Sequence, residues 1–259
     1  MDWGFLEDLR KAEGDLALAK LGNLKPPPAS LVEIGGGSGW QAQQFVAAGY
    51  DVQSFDLAGS SYSGNRVFPV RDYDGHRLPL ADASTDVVFS SNVLEHIAHV
   101  REFQGELLRI LKPDGIALHL LPTSTWRLWT TVLHYPGMAK LASGARQGAR
   151  KDENQAGAKA GSARPSNAAM LARHLVPRRH GEIGNAMSEL YYFSGRRWKR
   201  LFEDTGWAVT QHDTNKLAYT GFSLLGGALG LDARRRLSKV LGSSCHVFVL
   251  RKLESKTRI

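Results

Sequence analysis

Residues 31–39, Leu-Val-Glu-Ile-Gly-Gly-Gly-Ser-Gly, constrain this chain more than any other stretch. Leu31, Val32 and Ile34 form a short apolar run between Pro26-Pro27-Pro28 and a group of glycines, the pattern of a buried parallel strand. Gly35, Gly36, Gly37 and Gly39 then make a tight turn. Residues 40–48 follow as a helix, which Gly49 stops. A strand, a glycine turn and a helix N-terminus together build an anion site, because the missing Cβ atoms let a ligand approach backbone N–H groups. The dinucleotide fingerprint G-x-G-x-x-G is not met, since Trp40 stands where its third glycine belongs. What fits is E-x-G-x-G-x-G beginning at Glu33.

Apolar runs and helical patterns alternate along the chain. Residues 2–21 read as an amphipathic helix with Phe5, Leu6, Leu9, Leu16 and Leu18 as its apolar members. Strands are expected at 50–55, 67–70, 86–90 and 116–121, with a helix at 99–111 and a Lys112-Pro113-Asp114-Gly115 turn after it. Strand–helix alternation means βαβ units, a parallel sheet and right-handed connections. Residues 122–193 break the pattern. An aromatic helix (Trp126, Trp129, Leu133) is followed by 143–166, rich in Gly, Ala, Ser, Lys and Arg, which predicts a mobile lid over the site. The regular pattern resumes with a helix at 195–205 and strands at 207–212 and 245–250, separated by a cover segment at 214–243. The organisation expected is a core at 1–121, an insertion at 122–193 and the rest of the same sheet at 194–259.

Composition narrows the function. With a single cysteine, Cys245, the chain has no intramolecular disulfide and no cysteine-rich metal site. Residues 1–25 are too charged for a signal peptide, and the longest weakly polar run, 217–231, falls short of the roughly 20 residues of a membrane span. The reading is a soluble, cytoplasmic protein. Residues 1–121 carry 10 Lys and Arg against 16 Asp and Glu, whereas 122–259 carry 23 against 9. A basic half of this kind faces an anionic partner or solvates an insertion.

Several further segments carry a resemblance. Asp56 ends the second strand, where a carboxylate accepts from both hydroxyls of a ribose. Asp74-Gly75-His76-Arg77-Leu78-Pro79-Leu80 matches a D-x-x-x-L-P-F pattern, with Asp72 as the competing acid. The Thr85-to-Ile97 stretch contains Leu94-Glu95-His96, and Leu111–Gly115 matches an L-K-P-G-G turn with Asp114 for a glycine. Together with the Glu33 motif, these resemble the class I S-adenosylmethionine-dependent methyltransferases of the small-molecule type with an "LEH" signature. The resemblance covers residues 28–121 well and 189–212 with 244–251 loosely. It implies a doubly wound, Rossmann-like seven-stranded sheet, mostly parallel with strand seven antiparallel, and a substrate-side insertion after strand five. It also implies S-adenosylmethionine as cofactor. Glu33, Gly35, Gly37 and Gly39 would line its methionine end. Asp56 with Leu57 would hold ribose, Asp74 with Gly75 adenine, and Asn92 would face the reaction centre.

For an acceptor hydroxyl, a base must remove a proton. His96 and His180 are the candidates, since imidazole titrates near neutrality. His134, Tyr135, Tyr191, Tyr192 and Tyr219 are further substrate-side residues. The nine histidines contain no H-x₃-H pair with an acid nearby, so the sequence reads as metal-independent. The strand-four exit lacks both a Pro-Cys nucleophile and an N/D-P-P-Y/F pattern, which argues against methylation of DNA bases. The expected acceptor is a small molecule, sugar or lipid-linked glycan, anionic and met by peripheral contact with a membrane surface. Alternatives are an RNA or protein methyltransferase, against which no aromatic-rich RNA-binding module is visible, and a non-catalytic binding subunit.

Overall fold

The computed structural model describes residues 3–60, 64, 66–135, 177–220 and 228–253. The expected lid at 143–166 lies outside these residues. In chain order the elements are α1 (Trp3–Leu24), β1 (Ser30–Ile34), α2 (Trp40–Ala47), β2 (Asp51–Leu57), β3 (Val70–Tyr73), β4 (Thr85–Ser91), a 3₁₀ turn (Leu94–His96), α3 (Val100–Ile110) and β5 (Leu111–Pro122). Then come α4 (Ser124–Val132), α5 (Glu189–Tyr192), α6 (Gly195–Asp204), β6 (Trp207–Thr214), α7 (Leu231–Leu241) and β7 (Cys245–Lys252). The strands form one seven-stranded sheet in the order β3-β2-β1-β4-β5-β7-β6, parallel except for β7, which runs antiparallel to both neighbours. This is the doubly wound architecture that the alternation implied.

Period-two alternation along the strands divides the core between two faces. Val32, Ile34 and Val88 point to one face, covered by Phe103, Leu107 and Ile110 of α3 and Trp198, Leu201 and Phe202 of α6. Leu31, Val87 and Phe89 point to the other, covered by Ala17 and Leu21 of α1 and Phe45 of α2. Both faces are buried, which is why the central strands read as continuous apolar runs.

Three expectations shift. The third strand is Val70–Tyr73, not 67–70, so Asp72 is part of it. Val67 instead bonds the glycine turn through its amide to Ser38 O at 2.8 Å, and Pro69, with no N–H to give a ladder, precedes the strand. The Lys112–Gly115 turn lies within the span of β5, looped out where the register jumps from Thr85–Leu111 to Val87–Ile116. The buried stripe of α1 is Leu9, Glu13, Ala17 and Leu21, whereas Leu16 and Leu18 are only partly covered. A glutamate sits inside that stripe because four groups satisfy it. Glu13 accepts from Arg10 at 2.8 Å, Tyr219 at 2.9 Å, Asn215 at 3.0 Å and the Cys245 thiol at 3.2 Å.

Candidate active site

Strand order reverses between β1 and β4, and a crevice opens there beyond the carboxyl ends of the strands, as in other open parallel sheets. The turn after β1 is folded back on β2. The amides of Gly35 and Gly36 both donate to Phe55 O, at 2.7 and 3.0 Å. Gly35 has φ 72°, and a Cβ there would collide with the Val93 side chain, so both conformation and space demand glycine. The Gly37 amide donates to Asp56 Oδ2 at 2.9 Å, tying the turn to the strand that carries the acid.

Asp74 is shaped differently. Its Oδ1 accepts from the amides of His76 and Arg77, both at 2.8 Å, and these bonds, that from Arg77 foremost, hold its pKa below the usual carboxylate value. The segment after it is docked on α3. Leu78 N donates to Glu106 Oε1 at 2.7 Å, Arg109 donates to Leu78 O and Leu80 O, and the two side chains pair at 2.7 Å. Sequence reading missed Glu106 and Arg109. Their (i, i+3) spacing on a helix was the available signal.

Asn92 leaves β4 with φ 54°, a left-handed conformation that asparagine tolerates better than most residues. Its amide donates to Leu120 O at 2.8 Å, and its Oδ1 lies 3.5 Å from the Cys245 sulfur. The Leu94–His96 turn follows, with Glu95 buried and His96 facing the crevice.

The insertion supplies the opposite wall. Trp126 of α4 packs its indole against the His180 ring at 4.6 Å, and His180 meets His96 edge-to-face at 4.7 Å. The His180 loop is anchored from below. The amides of His180 and Gly181 donate to Glu189 Oε1 at 2.6 and 2.8 Å, and Glu189 forms a fully buried ion pair with Arg127 at 2.8 Å. Glu182 N also bonds Glu95 O at 2.9 Å. Arg127 and Glu189 were not singled out from the sequence, and Glu95 entered only as part of Leu94-Glu95-His96, because their roles depend on contacts between distant segments.

These walls enclose one cavity of about 600 Å³. Gly35, Gly37, Asp56, Leu57, Asp74, Gly75, Asn92, His96 and His180 all line it, joined by Arg10, Tyr73, Trp126, Glu182 and Tyr219. Glu33 and Gly39 are not among the lining residues. Glu33 is buried beneath the turn, where Ser54 donates to it at 2.6 Å, and burial raises its pKa to about 7. Gly39 caps α2 at φ 79° and packs against Phe68. Tyr219 is the sole further substrate-side candidate among the lining residues. His134, Tyr135, Tyr191 and Tyr192 lie outside them. Where the sequence offered no metal set, the fold gathers Glu95, His96 and His180, whose ligand atoms lie within 4.8 Å of one another. No helix among the described residues is long and apolar enough to cross a membrane.

The geometry agrees with what the chain is similar to. Two proteins named as uncharacterized methyltransferases, from Mycobacterium ulcerans and Mycobacterium bovis, are each 36% identical to it, over 128 and 145 residues. The matches cover 47% and 53% of this chain and 49% and 55% of those proteins, so the chain spans about half the length of the curated relatives it matches. The putative methyltransferase solved with the Trm112 activator of Haloferax volcanii has a TM-score of 0.54 at 15% identity, over 99% of this chain and 97% of that one. A geranyl diphosphate C-methyltransferase from Streptomyces coelicolor, solved with Mg²⁺, geranyl diphosphate and S-adenosyl-L-homocysteine, has a TM-score of 0.53 at 13% identity, over 96% and 82%. At such identities, these structures share the fold. The model of the methyltransferase domain matches residues 7–212, most of the sheet and its crevice, and the chain belongs to the class I S-adenosylmethionine-dependent methyltransferase family.

Proposed function

We propose that this chain transfers a methyl group from S-adenosylmethionine to a hydroxyl oxygen of a small-molecule, sugar or lipid-linked glycan acceptor. The observation that carries this reading is a single cavity joining the Asp56 and Asp74 carboxylates to the wall of His96, Trp126 and His180. The residues suit the cofactor. A carboxylate has about four lone-pair sites, and the backbone takes two of them on Asp56 and two on Asp74. The remaining positions accept from ribose hydroxyls at Asp56 and from an adenine amino group at Asp74, while Gly35 and Gly37 leave room for the methionine end and Leu57 with Gly75 flanks the base.

S-adenosylmethionine supplies an electrophilic methyl. Its C–S bond breaks as the acceptor O–C bond forms, the sulfur keeps the electron pair, and the hydroxyl proton is released. The chain's own work is to position, to exclude water and to ease the loss of that proton. Trp126 and Tyr219 offer apolar faces for an acceptor, Asn92 faces the transfer point, and the proton leaves at the His96–His180 wall. The acceptor named for the Streptomyces coelicolor enzyme, geranyl diphosphate, is anionic and amphiphilic, which supports the lipid-linked variant of this reading. Release of S-adenosylhomocysteine across extracts fractionated into lipid, RNA and small molecules tests it. Turnover confined to the RNA fraction would overturn it.

A further inference from the structure

Glu95 is in an unusual position for an acid. Its side chain is fully covered, yet neither carboxylate oxygen has a hydrogen-bond partner. A buried carboxylate without donors is costly unless a cation offsets its charge. Two imidazole nitrogens, His96 Nε2 and His180 Nε2, each stand 3.8 Å from Glu95 Oε1. That separation is too long for a hydrogen bond. It is close to the spacing of ligands around a common ion, since bonds of roughly 2.0–2.2 Å at tetrahedral angles put ligand atoms about 3.3–3.6 Å apart.

The surroundings are those of a built site. His96 follows Glu95 in a 3₁₀ turn, and His180 is fixed from two sides, by the Glu189 anchor at its own amide and by the Glu182–Glu95 backbone bond beside it. Both rings are about two-fifths exposed or less, and that exposure faces the cavity. We infer that Glu95, His96 and His180 bind a divalent first-row transition ion, Zn²⁺ by preference, leaving coordination positions open toward the acceptor. Two imidazoles and one carboxylate suit such an ion better than Mg²⁺ or Ca²⁺, which favour all-oxygen sets.

The use of the ion rests on the function proposed above, though its binding does not. An acceptor hydroxyl bound to the ion loses its proton more readily. The O–H bond breaks with the proton passing to solvent, the oxygen pair forms the bond to the methyl carbon as the methyl–sulfur bond breaks with its pair staying on sulfur, and the ion changes no oxidation state.

The full chain, stripped with a chelator, is titrated with Zn²⁺ by calorimetry and with Co²⁺ by visible absorption. One equivalent should bind, with Co²⁺ d–d bands, and Zn²⁺ should raise the melting temperature. Glu95→Gln keeps the volume of the side chain. That variant and His180→Asn should each weaken binding by on the order of 100-fold or more, beyond the cost of losing an outer-shell partner. No uptake by a folded chain would overturn the site. So would binding that survives Glu95→Gln and is lost in His212→Ala, since His212 Nε2 and His246 Nδ1, 3.0 Å apart on β6 and β7, are a second imidazole pair. Undiminished S-adenosylhomocysteine release without Zn²⁺ uptake overturns the metal and leaves the methyl-transfer reading standing. Zn²⁺ uptake without release of S-adenosylhomocysteine on any acceptor does the reverse.

Discussion

Asp56 and Gly37 hold each other in place: the carboxylate Oδ2 accepts from the glycine amide at 2.9 Å while Oδ1 accepts from Leu57 N at 2.7 Å. The acid proposed to bind ribose is therefore also the brace of the glycine turn. Its loss acts on the cofactor twice, through missing acceptors and through a turn free to move.

Asp56→Ala should weaken S-adenosylhomocysteine binding by about 1.5–3 kcal/mol, the range for charge-assisted hydrogen bonds. Asp56→Asn keeps one acceptor oxygen and should lose less. Calorimetry on both variants checks the order. Equal affinity of all three proteins would move the ribose contact elsewhere.

Glu33 gives a pH dependence whose sign is fixed by burial. Its pKa is raised from 4.5 to about 7 by desolvation, against the Ser54 bond and with the Asp56 charge adding to it. Below pH 4.5 both folded and unfolded chains hold the proton. Between 4.5 and 7 the unfolded chain releases it first, so stability falls as pH rises, by roughly 3 kcal/mol in all. Glu33→Gln should match the wild type near pH 4 and be more stable at pH 8. Denaturant midpoints at the two pH values measure this.

His119 works in the opposite direction. It is fully buried on β5, bonded to Ser90 Oγ at 2.8 Å and stacked on Phe202, and desolvation lowers its pKa from 6.5 to about 3. The neutral ring is favoured in the fold, so stability is intact above pH 6.5 and is lost as pH falls toward 3, by on the order of 5 kcal/mol. In His119→Leu the slope of stability between pH 6.5 and 4 should be shallower than in the wild type. An unchanged slope would mean that other groups carry the acid sensitivity.

The Arg127–Glu189 pair is buried on both sides, at 3% and 0% exposure, so removing one partner strands a charge. Glu189→Gln should cost roughly 3–5 kcal/mol. Glu189→Leu, which also removes the Oε1 that accepts from the His180 and Gly181 amides, should in addition free the His180 loop. Hydrogen exchange is the measurement: protection at 180–182 should drop more than protection in β4 or β5.

Asn92 tests the exit of β4. With φ at 54°, Asn92→Val should destabilise by roughly 1–3 kcal/mol, the cost of forcing a β-branched residue into the left-handed region. Asn92→Gly should retain the fold and lose the contact with Cys245. Thermal melts separate the two.

The order of strands and helices was legible because each element carries its own period of apolar residues, and the glycine turn because its backbone permits few alternatives. Where reading slipped, a local pattern met a distant partner. Val67 is apolar like a strand residue but serves the turn, and Pro69 delays β3. Leu16 and Leu18 look like the buried face of α1, yet the buried stripe passes through Glu13, which is accommodated by Tyr219, Asn215 and Cys245 from the other end of the chain.

The site divides along the same line. Gly35, Gly37, Asp56, Asp74 and Asn92 all sit at turns and strand exits of one sheet, so their spacing in the sequence is already their arrangement in space. The sequence by itself determined that half. The meeting of His180 with His96, the unpartnered burial of Glu95 and the Arg127–Glu189 anchor were decided by tertiary structure alone. Hydrophobic periodicity reports which way a residue faces within its own element. It does not report which polar group from another segment will be buried against it, and that pairing decides whether an ionisable side chain belongs to solvent or to the site.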